Sequence, residues 1–353
     1  MQLKENKTFK IAQSENYNYI FRKDTGYFLR WGSTEKDDPE YSEYGPEILD
    51  IEITTKCNGI PQDDGHSKVC AFCYKANTPD GKNMSFETFK TILTKFPRTL
   101  TQIAFGGDSE ASSNPDLWKM SEYCRSTGII PNITVAHISD EVADNLAKYM
   151  GAVAVSKYPN KDICYNAVKK LTDRKMSQIN IHYMLSEQTY EEAFRTIDDI
   201  VSDERLSKLN AVVFLQYKPK GRNVGKFSSV LNPTKYKKLI NYADSKGINY
   251  GFDSCSALLY LKSIKDSKNF ETIQRYAEPC ESGLFSAYCN VEGEYTPCSF
   301  ADGEVGWERG INMLDINDFM QDVWNSNRLI TWRKNLLTRK RDCPLFNLTA
   351  AEE

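Results

Sequence analysis

IEITTKCNGIPQDDGHSKVCAFCY, residues 51–74, is the stretch on which the fold turns. It opens on a short apolar, β-branched run (51–54) and then carries Cys57, Cys70 and Cys73, with twelve residues in the first gap and two in the second. A strand followed at once by a chemically loaded loop is the start of a βα unit, whose reactive groups sit at the C-terminal end of the strand. Outward from this stretch the pattern repeats. Apolar runs at 102–105, 132–136, 152–155, 178–183 and 211–217 begin about 20 to 50 residues apart, as parallel βα units do. Between them Phe86, Phe89, Ile92, Leu93 and Phe96 recur at helical spacing, and so do Phe194, Ile197, Ile200 and Val201. Asn232-Pro233 reads as a cap with proline at the first helical position, and Gly247 as that helix's stop; Gly128 similarly ends a helix carrying Cys124.

Six such units predict an α/β protein with a partial (β/α)6 barrel over 50–250. The flanks differ. Residues 17–32 read as a β-hairpin turning at Asp24-Thr25-Gly26, joined to the barrel by a polar linker, which makes 1–49 a separate N-terminal piece. After about residue 250 the βα rhythm gives way to cysteines, glycines and short turns, so 251–353 reads as a small cysteine-rich module.

The chain has 353 residues, 40% of them hydrophobic, and 45 Lys+Arg against 48 Asp+Glu leave a net charge of −3. That balance makes a protein held to nucleic acid by bulk charge unlikely and supports a real core. No apolar run reaches the roughly 18 residues of a spanning helix, and the first residues lack a signal core, so the expected location is the cytoplasm. In a reducing compartment ten cysteines point to metal or redox chemistry rather than disulfides. Three histidines leave little material for His-rich metal sites or hydrolytic triads.

The first three cysteines admit two readings. With His66 from the intervening excursion they could complete a tetrahedral zinc site. Alternatively they hold three irons of a 4Fe–4S cluster and leave the fourth open to a ligand. The second candidate strand ends in Gly106-Gly107-Asp108, a turn where backbone can approach a small polar ligand closely. Cysteines after the first strand, a glycine pair after the second and six βα units together resemble the radical S-adenosylmethionine (radical SAM) enzymes. The two-residue gap and the aromatic Tyr74 after the third cysteine fit that family's pattern. The twelve-residue gap is much longer than its usual three, and Asp108 stands where Glu is typical. The resemblance implies that Cys57, Cys70 and Cys73 hold the cluster, with Tyr74, Gly106, Gly107, Asp108, Ser156 and His182 (or Tyr183) near S-adenosyl-L-methionine. It also implies a 5′-deoxyadenosyl radical as the agent that abstracts hydrogen, with the excursion 58–69 covering the site.

Further along, Cys280, Gly293 and Cys298 form C-x12-G-x4-C, with a hairpin read at Asn290–Tyr295. This resembles the opening of the C-terminal extension called SPASM in its full form and twitch in its short form; the short form matches better. Four thiolates would complete an auxiliary 4Fe–4S site, and Cys255 and Cys343 are the expected partners of Cys280 and Cys298, with Cys289 a spare. Four-cysteine zinc is the competing reading. Cys124 and Cys164 lie in helical segments and read as buried small hydrophobes. Lys218, Lys220 and Arg222 could bind a substrate anion or be a solvated loop. The basic stretch 328–341 could dock an acidic partner or face solvent. The resemblance implies a peptide substrate undergoing crosslinking, epimerisation or oxidation, and a flavodoxin- or ferredoxin-type electron donor. The first 49 residues are too short and strand-like for the winged-helix domain of many peptide maturases. Modification of a small metabolite, sugar or nucleotide, and a non-catalytic metal scaffold, are the alternatives.

Overall fold

The computed structural model describes residues 1–34, 37–62 and 65–349. An antiparallel sheet comes first, with four strands in chain order: β1 (Gln2–Glu5), β2 (Phe9–Gln13), β3 (Asn18–Arg22) and β4 (Phe28–Trp31). Its second half is the expected hairpin, closed where the Gly26 amide donates to the Arg22 carbonyl at 2.9 Å. The first half is an addition to the sequence reading. The inward face of β2 is Lys10 and Ala12, and a buried lysine hides the alternation that marks a strand. Lys10 Nζ donates to the Leu100 carbonyl at 2.7 Å, Tyr19 Oη to the Thr99 carbonyl at 2.8 Å, and Tyr17 Oη to Glu47 Oε1 at 2.6 Å. These partners immediately precede the first two barrel strands, so the small sheet packs under the N-terminal end of the barrel.

The barrel begins with β5 (Ile48–Glu52). Then come a short hairpin, β6 (Ile60–Pro61) and β7 (Ser67–Lys68), and α1 (Phe86–Lys95). The alternation continues through β8 (Gln102–Gly106), α2 (Leu117–Ser126), β9 (Ile130–Val135), α3 (Asp140–Tyr149), β10 (Val153–Ser156) and α4 (Lys161–Asp173). It ends with β11 (Ile179–Leu185), α5 (Tyr190–Ser202), β12 (Ala211–Gln216), α6 (Pro233–Lys246) and β13 (Tyr250–Phe252). All six expected strands are present within a few residues of their expected bounds. β13 is a seventh, three residues with a central glycine, too short to stand out in the sequence. Caps act as read: the Asn232 side chain accepts from the Thr234 amide ahead of α6, and Gly247 closes it with φ +66°.

Beyond the barrel lie α7 (Ala257–Ser263), α8 (Phe270–Tyr276), β14 (Ser286–Cys289), β15 (Glu294–Thr296), β16 (Ile311–Asn312) and α9 (Asn327–Thr338). β14 pairs in parallel with β5, and β15 and β16 follow antiparallel, giving one ten-stranded sheet in the order β13-β12-β11-β10-β9-β8-β5-β14-β15-β16. The C-terminal module is therefore joined to the barrel by main-chain hydrogen bonds.

The two faces of the sheet differ. Leu49, Ile51, Ile103, Phe105, Val153, Val155, Ile179, Ile181, Val212 and Phe214 are buried under the helices. The alternate positions face inward, and several are small or polar: Asp50, Ala104, Gly106, Thr134, Ala154, Ser156 and His182, beside the apolar Ile48, Met184, Val213 and Leu215. Barrel interiors are ordinarily filled by bulky branched side chains. Here Asp50, Gly106 and Thr134 keep solvent-accessible surface, so the interior has room for a ligand.

A buried ion pair fastens the N-terminal sheet. Arg30 donates to Glu47 at 2.8 Å, and both side chains are almost wholly buried. Burial pushes the Glu47 carboxyl up to about 7, against the pull of Arg30. Removing one partner of such a pair costs about 3–5 kcal/mol. Urea unfolding of Arg30→Met should show a loss of that order. The loss should be larger at pH 8 than at pH 6, because above about 7 the parent's Glu47 is ionised and gains from Arg30, whereas at pH 6 it is largely protonated even with Arg30 present.

Candidate active site

Cys57, Cys70 and Cys73 lie on the loop that follows β5. Cys57 is anchored by its amide, which donates to the Thr78 carbonyl at 2.9 Å, and its thiol lies 3.8 Å from Ser109 Oγ on the loop after β8. The Cys70 thiol shares a hydrogen bond with Cys73. That bond pulls Cys73 down to about 6 against the effect of burial, helped by the Lys75 and Asn77 amides and by Arg222. The same shared proton drives Cys70 upward, as do burial and the nearby charges of Cys73 and Cys57. Three half-buried thiols thus influence one another around one loop, with a thiolate available near neutral pH.

Among the described residues no three His, Cys, Asp or Glu side chains converge on a single point as one metal ion would need. A cubane attaches each thiolate to a different iron, so it asks for thiols that are grouped rather than converged. His66 is exposed on the excursion. The excursion itself carries the β6–β7 hairpin; Asp63 and Asp64 lie outside the described residues. Its Gly59 carbonyl accepts from Ser109 Oγ at 2.6 Å and approaches His137 Nε2 at 3.4 Å, which sets it against the loops after β8 and β9. His137 also lies 3.6 Å from Glu110.

The other expected ligand contacts are distributed around the same end. Gly106 closes β8, and Gly107 has open space beside it apart from Ile133. The Asp108 carboxylate is buried and turned into its own loop, accepting from the Ser112 amide at 3.1 Å. Ser156 and His182 are paired neighbours on β10 and β11. Burial holds His182 down at about 4, against the pull of Asp253, so its imidazole is neutral at pH 7. Tyr183 faces the helices instead, with its hydroxyl on the Thr189 carbonyl at 2.7 Å. Tyr74 stacks on Phe300 with ring centroids 4.5 Å apart. Tyr158 was not legible in the sequence. Its ring stacks on Phe72 at 5.2 Å and its phenol bonds to Cys70, while its sequence context, Lys157-Tyr158-Pro159, is that of an ordinary turn.

Cys255, Cys280, Cys298 and Cys343 are the expected second group. Burial raises Cys255, Cys280 and Cys298, the last up to about 12, and each is raised further by other members of the four. Cys289 stands apart on the helix-facing side of β14, raised by burial alone. The hairpin that brings Cys280 and Cys298 together turns at Asn290–Gly293, where Gly293 adopts φ +82° and its amide donates to the Asn290 carbonyl at 2.9 Å. Cys124 and Cys164 are fully buried in the core, as expected.

The loop after β12 corrects both earlier views of its basic residues. Arg222 donates through its backbone amide to the Cys73 carbonyl at 3.0 Å. Its guanidinium donates to the carbonyls of Cys70 and Asn77 at 3.2 and 2.6 Å. Lys218 donates to Asp253 at 2.7 Å; burial opposes its charge, but Asp253 and Cys255 carry its pKa upward. Lys220 donates to the carbonyls of Phe300 and Asp302 and to Glu304. These are neither solvated nor free for substrate; they fix both cysteine groups. The basic stretch near the C-terminus divides: Lys334, Arg339 and Lys340 are exposed, and the other three are committed. Arg333 is buried against Trp324 and the Gly283 carbonyl, Arg328 covers Trp307, and Arg341 reaches Glu278.

No protein-family model matches the chain, and no curated protein matches it. Solved structures do. SuiB of Streptococcus suis bound to its precursor peptide SuiA has a TM-score of 0.69 at 14% identity, covering 94% of this chain and 90% of that one. SuiB alone has a TM-score of 0.67 at 13% identity, with 95% and 90% covered. SuiB bound to S-adenosylmethionine has a TM-score of 0.59 at 16% identity, with 82% and 65% covered. At these identities the likeness establishes the fold: this chain has the SuiB fold over nearly its whole length.

Gly221 has φ +67°, and a Cβ there would meet the Tyr74 carbonyl oxygen at 2.1 Å and that of Cys73 at 2.7 Å. Gly221→Ala should therefore displace the cysteine loop and change the rate at which iodoacetamide modifies Cys73, with unfolding changed far less. In the metal-free reduced protein, iodoacetamide should modify Cys73 down to about pH 6 and spare Cys124 and Cys289, a pattern mass spectrometry reads directly.

Proposed function

We propose that this protein is a radical SAM enzyme that modifies a peptide, with a second, auxiliary 4Fe–4S cluster of the twitch or SPASM type. The observation that carries the reading is the SuiB-like fold over nearly the whole chain, with Cys57, Cys70 and Cys73 on the loop after β5. Thiolates are the donor type that iron–sulfur clusters use. Cys57, Cys70 and Cys73 would hold the first and leave one iron free for SAM, while Cys255, Cys280, Cys298 and Cys343 would hold the second with every iron ligated. When bound, the first cluster and SAM supply a 5′-deoxyadenosyl radical able to abstract hydrogen from substrate.

The chain's own residues bind, orient and exclude water. Gly106 and Gly107 leave backbone accessible beside the first thiol group, Ser156 and neutral His182 offer hydrogen-bonding groups on the facing strands, and Tyr74 is fixed by Phe300. Asp108, held by Ser112, acts on the shape of its turn. Full ligation of the second cluster favours electron transfer or structural support over direct substrate binding. SuiB binds a precursor peptide and S-adenosylmethionine, and the small-residue interior of this barrel supports a similar pair of ligands here. No helix among the described residues is long and apolar enough to cross a membrane; a cytoplasmic enzyme served by a flavodoxin- or ferredoxin-type donor completes the proposal.

Anaerobically reconstituted protein should contain about eight irons per chain, falling to about four in the Cys70→Ala, Cys73→Ala double variant. Cys289→Ala should leave the parent value unchanged. The parent, reduced with dithionite, should release 5′-deoxyadenosine from SAM, and the double variant should not. Tightly held zinc in place of iron, or no SAM cleavage at full iron loading, would overturn the reading.

A further inference from the structure

The carboxylate of Asp50 takes no part in either thiol group. It lies at the centre of β5 between Leu49 and Ile51, both buried under the helices, so its side chain faces the barrel interior. Protein surrounds it, yet its surface remains open to water, and both hold for a group lining an internal space. Ala104 on β8 stands opposite it and leaves room that a larger side chain would fill. Among the described residues Asp50 makes no hydrogen bond or ion pair. Lys75, the cation on this wall, is already shared between Asp302 at 2.9 Å and Glu52 at 3.4 Å. That ammonium is thus committed to two other carboxylates, and a water-accessible carboxylate on the interior wall is a ready acceptor for a cation brought by a ligand. Asp50 lies on the strand that leads into the loop of the first thiol group, and its charge raises the Tyr74 phenol slightly, after burial.

We propose that Asp50 is a specificity-determining residue that receives a cationic side chain of the substrate peptide, an ammonium or a guanidinium, inside the barrel. The inference rests on the peptide-modifying reading above and names what that site selects. A substrate cation supplies the partner the fold withholds, and an acidic or apolar side chain at the same place leaves Asp50 unpaired.

The test uses reconstituted holoenzyme with SAM and a random hexapeptide pool at pH 7.5, with bound peptides identified by mass spectrometry. Lysine and arginine should be enriched about tenfold or more over glutamine and leucine, the size of effect a desolvated charge pair gives. Asp50→Asn should abolish the enrichment and Asp50→Glu should keep it, each with a thermal melt to confirm folding. No preference for basic peptides in the parent, or an equal preference in a folded Asp50→Asn, overturns the assignment. 5′-Deoxyadenosine release in the same samples separates the two claims: SAM cleavage without a basic preference removes the role of Asp50 alone. A basic preference without SAM cleavage removes the catalytic reading and leaves Asp50 as a peptide-selecting group.

Discussion

Lys218, Lys220 and Arg222 sit on five residues of one loop, and the two cysteine groups depend on where that loop lies. Each side chain satisfies backbone carbonyls or carboxylates that belong to another element: Arg222 the first cysteine loop, Lys218 the strand end beside Cys255, and Lys220 the turn after Cys298. Buried cations hold such partners tightly because losing one leaves an unpaired charge. Gly221 lets the loop pass within contact of Cys73 and Tyr74. Tyr74 in turn stacks on Phe300, whose edge meets Phe346 near Cys343. The result is a single packed bridge from one thiol group to the other.

How far the sequence disclosed this depends on the kind of signal. The six strands were legible because apolar runs and helical periodicity extend over many residues each. The candidate thiols were legible because cysteine is chemically distinctive. Cys289 could not be sorted from sequence alone, since its fate depends on strand parity: one residue further along β14, and it would face the other side of the sheet. The basic loop and the C-terminal basic helix were ambiguous for a related reason. Arg333, Lys218 and Lys220 find carbonyls and carboxylates from distant segments, and no local pattern records such partners. β2 was missed because its inward positions include a lysine.

The barrel interior keeps its room by omission. Ala104, Gly106, Ala154 and Ser156 stand where bulky aliphatics would otherwise fill a closed core, which gives up some packing energy for room. Polar groups then line that room in distinct states: a neutral imidazole at His182, a carboxylate shared with Lys75 at Glu52, and one at Asp50 with no partner among the described residues. An interior of this kind is selective through what it leaves unsatisfied.

The parallel pairing of β14 with β5 has a consequence for how the chain reaches this state. Residues 48–51 pair with 286–289, more than two hundred positions away. Until that late segment leaves the ribosome, the β5 edge has unpaired amides and carbonyls next to a nearly finished barrel. Open strand edges of this sort attract other chains, and long-range parallel pairing forms slowly. The N-terminal sheet, complete within the first 31 residues and packed under the same end of the barrel, is formed early enough to hold the base together during that wait. A protein made of a barrel and an appended module by sequence is, in the order of its assembly, a barrel finished only by its own C-terminal part.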